Sequence, residues 1–262
     1  MNKIIFVTYA SGIFKGNVKS NLFFAKLFLR ASKLIVLSDL DLKQEQIYHK
    51  NKSIFDEAIG GGYWAWKPWT ILKAMNEAEK GDIVIYQDCG KGLKYKNFRF
   101  PKNIIKHVEK HGAMPGIFVP IHGNNKKWTH EKCFKIMNCE SNIYYNSPQV
   151  EASISAWKVN NRNIQFIKEW LNYCLNIEVI GNKYTSDNQL IPHRYDQSIL
   201  TNLVIKNSLR PLESKFNEMH ITKSISLVDL SLSNKFQDKA FLSFILQFIK
   251  IKRLFRKILG YS

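Results

Sequence analysis

"DIVIYQDCG" at residues 82–90 reads as a buried strand that runs out into an acid and a glycine. Ile83, Val84, Ile85 and Tyr86 form an unbroken apolar run of strand length. Asp88 and Gly90 follow at its carboxyl end, where an open α/β sheet places its ligands. Glycine at such a position lets a ligand come close to the backbone. The preceding stretch, "WTILKAMNEAEKG" (69–81), has helical composition and a glycine stop. Further upstream, "KIIFVTY" (3–9), "NVKSNLFFAKLFLRASK" (17–33) and "LIVLSDL" (34–40) read as strand, helix and strand. That is a βαβ unit, and it predicts a parallel pairing.

Downstream, "NIIKHVEKHG" (103–112) reads as a helix closed by glycine and "GIFVPI" (116–121) as the next strand. A polar helix near 129–138 precedes "QVEASISAWKV" (149–159), which alternates like a half-buried strand. "NIQFIKEWLNYCL" (163–175) is amphipathic, and "DQSILTNLVIK" (196–206) is a last core helix with Asp196 as its expected N-cap. Strands alternating with helices over 1–210 predict one open α/β domain. Residues 211–237 are irregular and are grouped with it as a domain of 1–237.

A chain of 262 residues can bury a sizeable core, and 45% hydrophobic with 23% charged residues is ordinary for a globular protein. The net charge of +18 is not ordinary and favours polyanions: nucleic acid, an anionic membrane surface or phosphorylated small molecules. A nucleic-acid-binding protein is the alternative that charge and aromatic content suggest. No RNP or zinc-finger signature supports it, so no nucleic acid is expected as a partner. Cys89, Cys133, Cys139 and Cys174 lack paired CxxC spacing, which argues against structural zinc. The first apolar run is too short for a signal peptide, and no run reaches the length of a membrane span. The expected location is cytoplasmic.

"GGGYWAWKPW" (60–69) mixes three glycines with aromatic rings, Lys67 and Pro68. Proline favours a helix start beside Lys67, and a helix N-terminus attracts phosphate. Trp64 and Trp66 offer faces that stack on bases or sugars, with core packing the competing role. Asp88 is either a turn aspartate bonding its own loop or a ligand for a divalent cation that carries a diphosphate.

"GGGYWAWKPWTILKAM…GDIVIYQDCG" resembles the GYWxWKP…GDIxxYxDxG signature of bacterial glycosyltransferases that build capsule, lipooligosaccharide and O-antigen chains. "HRYDQSILTNL" (193–203) resembles the HRxDQS segment of that family, and residues 148–174 its intervening strand and helix. The resemblance covers about residues 1–210. It implies a GT-A-like fold, a Rossmann-type open mixed sheet flanked by helices. It also implies sugar transfer from a nucleotide-sugar donor to a growing surface polysaccharide or a lipid-linked glycan acceptor.

The implied cofactor is Mn2+ or Mg2+ at Asp88, with His220 as a late second ligand. The usual arrangement has two acids, Asp-x-Asp, whereas only Asp88 stands here, so Lys67 is the alternative neutraliser of the diphosphate. Asp196 is the expected catalytic base, kept ionised by the cationic neighbourhood of His193 and Arg194. The donor side is expected to draw on Thr8, Tyr9, Trp64, Lys67, Asp88, Gly90, His193 and Arg194. The missing second acid also admits an inactive transferase-like scaffold in a polysaccharide assembly complex.

The last stretch, "DKAFLSFILQFIKIKRLFRKILGYS" (238–262), sets aromatic and aliphatic residues on one helical face and Lys250, Arg253 and Lys257 on or near the other. Such a helix is expected to lie in an anionic membrane interface, making the protein peripheral at the inner face of the cytoplasmic membrane. An ordinary helix packed on the domain is the competing reading.

Overall fold

Apolar, β-branched residues put β1 (Ile4–Tyr9) at an inner position of the sheet, covered on both faces. The structure, a computed structural model, describes residues 2–90, 99–101, 103–120, 123–182, 192–213 and 219–221. After β1 come α1 (Val18–Phe24), β2 (Lys33–Leu37), α2 (Trp66–Asn76), β3 (Ile83–Gln87), α3 (Ile104–His111) and β4 (Ala113–Met114). The principal elements end with β5 (Ile154–Lys158), α4 (Asn161–Cys174) and α5 (Tyr195–Lys206). The strand order is β2-β1-β3-β5-β4. β1 runs parallel to β2 and β3, while β5 is antiparallel to β3 and β4. The result is a mixed sheet in an α/β fold.

The period of two along each strand divides the core. Ile5, Val7 and Tyr9 join Val84, Tyr86 and Trp157 on one side, packed with residues of α2, α4 and α5. Phe6, Ile83, Ile85 and Ala156 face the other way, against Phe24 of α1 and Ile104 and Val108 of α3. Helices therefore cover both faces, and the carboxyl ends of β1 and β3 open toward loops.

Several boundaries differ from the sequence reading, each for a local reason. The strand expected over 34–40 stops at Leu37, because Asp41 accepts from the Ser38 backbone N–H (2.8 Å) and hydroxyl (2.6 Å) and starts a short helix. The strand expected at 116–121 is not in the main sheet. Ile117–Phe118 pairs instead with Val150–Glu151 in a separate two-stranded ribbon, and β4 takes the edge of the main sheet. Gly116 permits this pairing, since a Cβ there would lie 2.4 Å from the Glu151 carbonyl oxygen. The run 149–159 is accordingly split between ribbon and sheet.

The chain divides into two compact units, Met1–His220 and Ile221–Ser262. The basic segment 238–262 lies outside the described residues. Among the described residues no helix is long and apolar enough to cross a membrane.

Candidate active site

The end of β3 is fastened from three directions. Thr8 donates its hydroxyl to the Gln87 carbonyl at 2.7 Å, and the Asp88 N–H donates to the Ser153 carbonyl at 2.8 Å. Asn21 and Asn17 donate their side-chain amides to the carbonyls of Cys89 (2.7 Å) and Gly90 (3.0 Å). Gly90 has φ 76°, a left-handed value that suits glycine. Asp88 is thereby held at the mouth of the sheet with 35% of its side chain exposed.

Lys67 reaches this point through an unusual piece of backbone. Gly60, Gly61, Gly62, Tyr63 and Trp64 have φ values of 62°, 58°, 95°, 53° and 61°, a left-handed turn five residues long. Tyr63 and Trp64 each carry about 1–2 kcal/mol of strain for it. The glycines are needed for space as well as for φ. A Cβ on Gly60 would sit 2.3 Å from the Trp64 ring, and one on Gly62 would sit 2.8 Å from the Phe55 Cα. Trp66 closes the turn by donating its ring N–H to the Gly60 carbonyl at 3.0 Å. α2 then begins with Pro68 in its first turn, where a missing N–H costs nothing.

Lys67 is 3% exposed and its Nζ lies 2.9 Å from Asp196 Oδ2 and 3.6 Å from Asp88 Oδ1. Asp196, also 3% exposed, comes from the first turn of α5, more than a hundred positions along the chain. Tyr86 donates its hydroxyl to Asp88 Oδ1 at 2.5 Å, and its ring lies 5.9 Å from the Lys67 ammonium. Burial pulls the Lys67 ammonium toward neutrality, but Asp196 and then Asp88 more than offset this, leaving its pKa raised. Burial also pushes the Asp196 carboxyl up to about 6, with Lys67 opposing and Asp88 adding to the rise. The Tyr86 hydroxyl is held well above its ordinary value by burial and by Asp88, so it stays a donor.

Other expected site residues lie elsewhere. Thr8 is fully buried with its hydroxyl committed to β3, and Tyr9 is core, stacked on Trp66 at 4.0 Å. Both side chains are thus committed to contacts within the sheet and the core. Trp69 meets Tyr9 edge-on and Trp66 is buried, whereas Trp64 is half-buried and leans on Tyr195 at 5.6 Å.

His193 and Arg194 do not form the cationic surroundings expected for Asp196. The His193 ring lies tilted against His130, centroids 4.1 Å apart, and burial with His130 beside it drives its pKa well below the ordinary value, so it is neutral. Arg194 lies over the Trp128 ring at 3.9 Å. Lys67 supplies the counter-charge instead. Asp196 is also not the N-cap: Arg194 holds that position without a side-chain cap bond, and Asp196 sits in the first turn.

The sequence reading missed the residues that hold α5 in place. Gln197 donates to Gln149 at 2.9 Å, Gln149 donates to Asn125, and Asn125 donates to Asn202 at 2.8 Å. The Ser198 hydroxyl donates to the Trp128 carbonyl at 2.7 Å, and Thr201 accepts from the Val150 N–H at 3.1 Å. The "DQS" triplet thus has one charged member at the cluster and two polar members that clamp the helix. Tyr86 was legible, since residues two apart in a strand share a face.

The space between Asp88 and Asp196 is filled by the Lys67 ammonium, and Asp88 Oδ1 accepts from Tyr86 as well. His220 falls in the strand Met219–Ile221, and the metal role expected of its side chain lies outside the described side chains. Among the described residues no group of three or more His, Cys, Asp or Glu is gathered to hold a metal ion. A scan against protein-family models finds no match to this chain, and a search of curated proteins finds none either.

Proposed function

We propose that the chain is a nucleotide-sugar-dependent glycosyltransferase of GT-A-like fold, acting on a surface polysaccharide or lipid-linked glycan acceptor. The supporting observation is the convergence on one lysine. Three separated stretches, around Lys67, Asp88 and Asp196, meet at the carboxyl ends of the central strands, where an α/β sheet binds its ligand. The inferred work also suits a peripheral position at the inner face of the membrane, which the charge of +18 favours.

On this reading the two acids divide the labour, with the base role that the sequence reading gave Asp196 moved to Asp88. Asp88 is the carboxylate that a substrate reaches, and it serves as general base. Asp196 is too buried to touch an acceptor and acts by holding Lys67. In the transfer, the acceptor hydroxyl oxygen bonds to the anomeric carbon and its proton passes to Asp88. The bond from that carbon to the donor's phosphate oxygen breaks, and its electron pair leaves with the nucleotide. Lys67 and Tyr86 fix the orientation of Asp88 throughout.

The test is a thermal-shift and hydrolysis screen of UDP-, GDP-, CMP- and TDP-linked sugars. A donor that binds only the folded state raises its melting temperature. Asp88→Asn should then lose about 10²- to 10⁴-fold in turnover while its melting temperature and donor shift persist. A fully active Asp88→Asn enzyme refutes this assignment.

A further inference from the structure

Two acids brought together at the end of a sheet commonly gather a divalent cation, which one or two carboxylates and the substrate's phosphates then share. In this chain the place between them is already taken. The Lys67 ammonium stands 2.9 Å from Asp196 and 3.6 Å from Asp88 with 4% of its side chain exposed. Its stem is buried with it, and the Tyr86 ring lies 5.9 Å from the ammonium.

We infer that Lys67 is a built-in cation that replaces a divalent metal, so that the acid pair is held together, and the donor bound, without Mn2+ or Mg2+. The part about the donor rests on the glycosyltransferase reading, whereas the part about the acid pair stands on the geometry alone. The substitution has a direct consequence. Removing the ammonium leaves the Asp88 carboxylate and the Asp196 carboxyl facing one vacated space with a water-accessible side at Asp88, and a hard cation that displaces the Asp196 proton finds its donor set there. The variant should gain what the native chain lacks.

The experiment is a Mn2+ titration followed by electron paramagnetic resonance, which reads the free aquo ion. The native chain, Lys67→Ala and the double variant Lys67→Ala/Asp88→Asn are compared, with circular dichroism as the check on folding. The native chain should leave Mn2+ free over a range in which Lys67→Ala binds it at least about tenfold more tightly, a difference of about 1.4 kcal/mol. The double variant should lose that gain. Stoichiometric Mn2+ binding by the native chain that Asp88→Asn abolishes would overturn the inference, as would a folded Lys67→Ala that gains no Mn2+ affinity.

Should Lys67→Ala fail to fold, the native titration decides by itself. Calorimetry with the same panel of nucleotide sugars forms the second arm. Their dissociation constants should agree within about twofold in EDTA and in Mn2+. Donor binding that EDTA abolishes overturns the inference. Absence of binding in both media instead refutes the glycosyltransferase reading, while the Mn2+ titrations still settle what occupies the acid pair.

Discussion

Replacing Lys67 with methionine keeps the apolar stem, removes the ammonium, and should produce a stability loss that grows with pH. Breaking a buried ion pair costs about 3–5 kcal/mol when the remaining partner must stay charged. Here the remaining partner has an escape. Burial, opposed by Lys67, already holds the Asp196 carboxyl at about 6, and loss of Lys67 moves it further up. A folded value above the unfolded one means that the native state holds the proton more tightly. The associated stability is therefore complete below about pH 4 and is lost as pH rises through the folded value.

In the native protein that loss is finished near pH 6. In Lys67→Met it continues at about 1.4 kcal/mol per pH unit, adding about 3 kcal/mol between pH 6 and pH 8. Urea unfolding at constant ionic strength measures this as a gap between native and variant curves that widens from about pH 5.5 to about pH 8. Adding Asp196→Asn to Lys67→Met should flatten the slope. A gap of the same size at both pH values, or a variant as stable as the native chain at pH 8, would refute the ion-pair account of the cluster.

The other predictions concern the supports of the site. His193 and His130 are buried against each other, and burial holds both below the ordinary imidazole value, His193 far below. With folded values depressed, the unfolded chain takes up protons first, so their contribution is full above about pH 6.5 and falls as pH drops through the folded values. His193→Phe should flatten the acid limb of the stability curve, and an unchanged limb would clear the pair of that role. Gly62→Ala should lower the melting temperature more than Gly61→Ala. Both positions have left-handed φ and cost about 1–2 kcal/mol for it. Only Gly62 would also drive a Cβ to 2.8 Å from the Phe55 backbone, whereas Gly61 meets nothing within 4 Å. Equal melting temperatures would contradict the packing argument.

The elements that could be read were those whose signal is local. β1, β2, β3 and the helices α3 to α5 follow from apolar runs, amphipathic spacing and glycine stops, and all lie close to their expected positions. The ribbon between Ile117–Phe118 and Val150–Glu151 was not legible, because short apolar strands carry no mark of their partner. At the site, the end of β3 and the start of α2 announced Asp88 and Lys67. Their meeting with Asp196 depends on how α5 packs, which a buried amide network decides. Tyr9 was open to a better reading: it continues the alternation of Ile5 and Val7, and so belongs to the core face.

The left-handed turn explains why the two halves of the cluster come together. Strain of this kind survives only where surrounding contacts fix it. Tyr63, at φ 53°, stacks on Tyr195 at 5.2 Å, and Tyr195 is itself left-handed at φ 48°. Trp64 leans on the same ring. Lys67 follows that turn by three residues, and Asp196 follows Tyr195 directly. The aromatic contact therefore sets the distance between the two backbones that carry the ion pair. On this reasoning the glycines and aromatics of residues 60–66 act mainly by placing Lys67. Shortening Tyr63 to alanine would loosen the Lys67–Asp196 pair without removing either charge, so its stability loss should show the same rising dependence on pH as Lys67→Met, only shallower. A pH-independent loss of equal size would mean that Tyr63 supports the core alone.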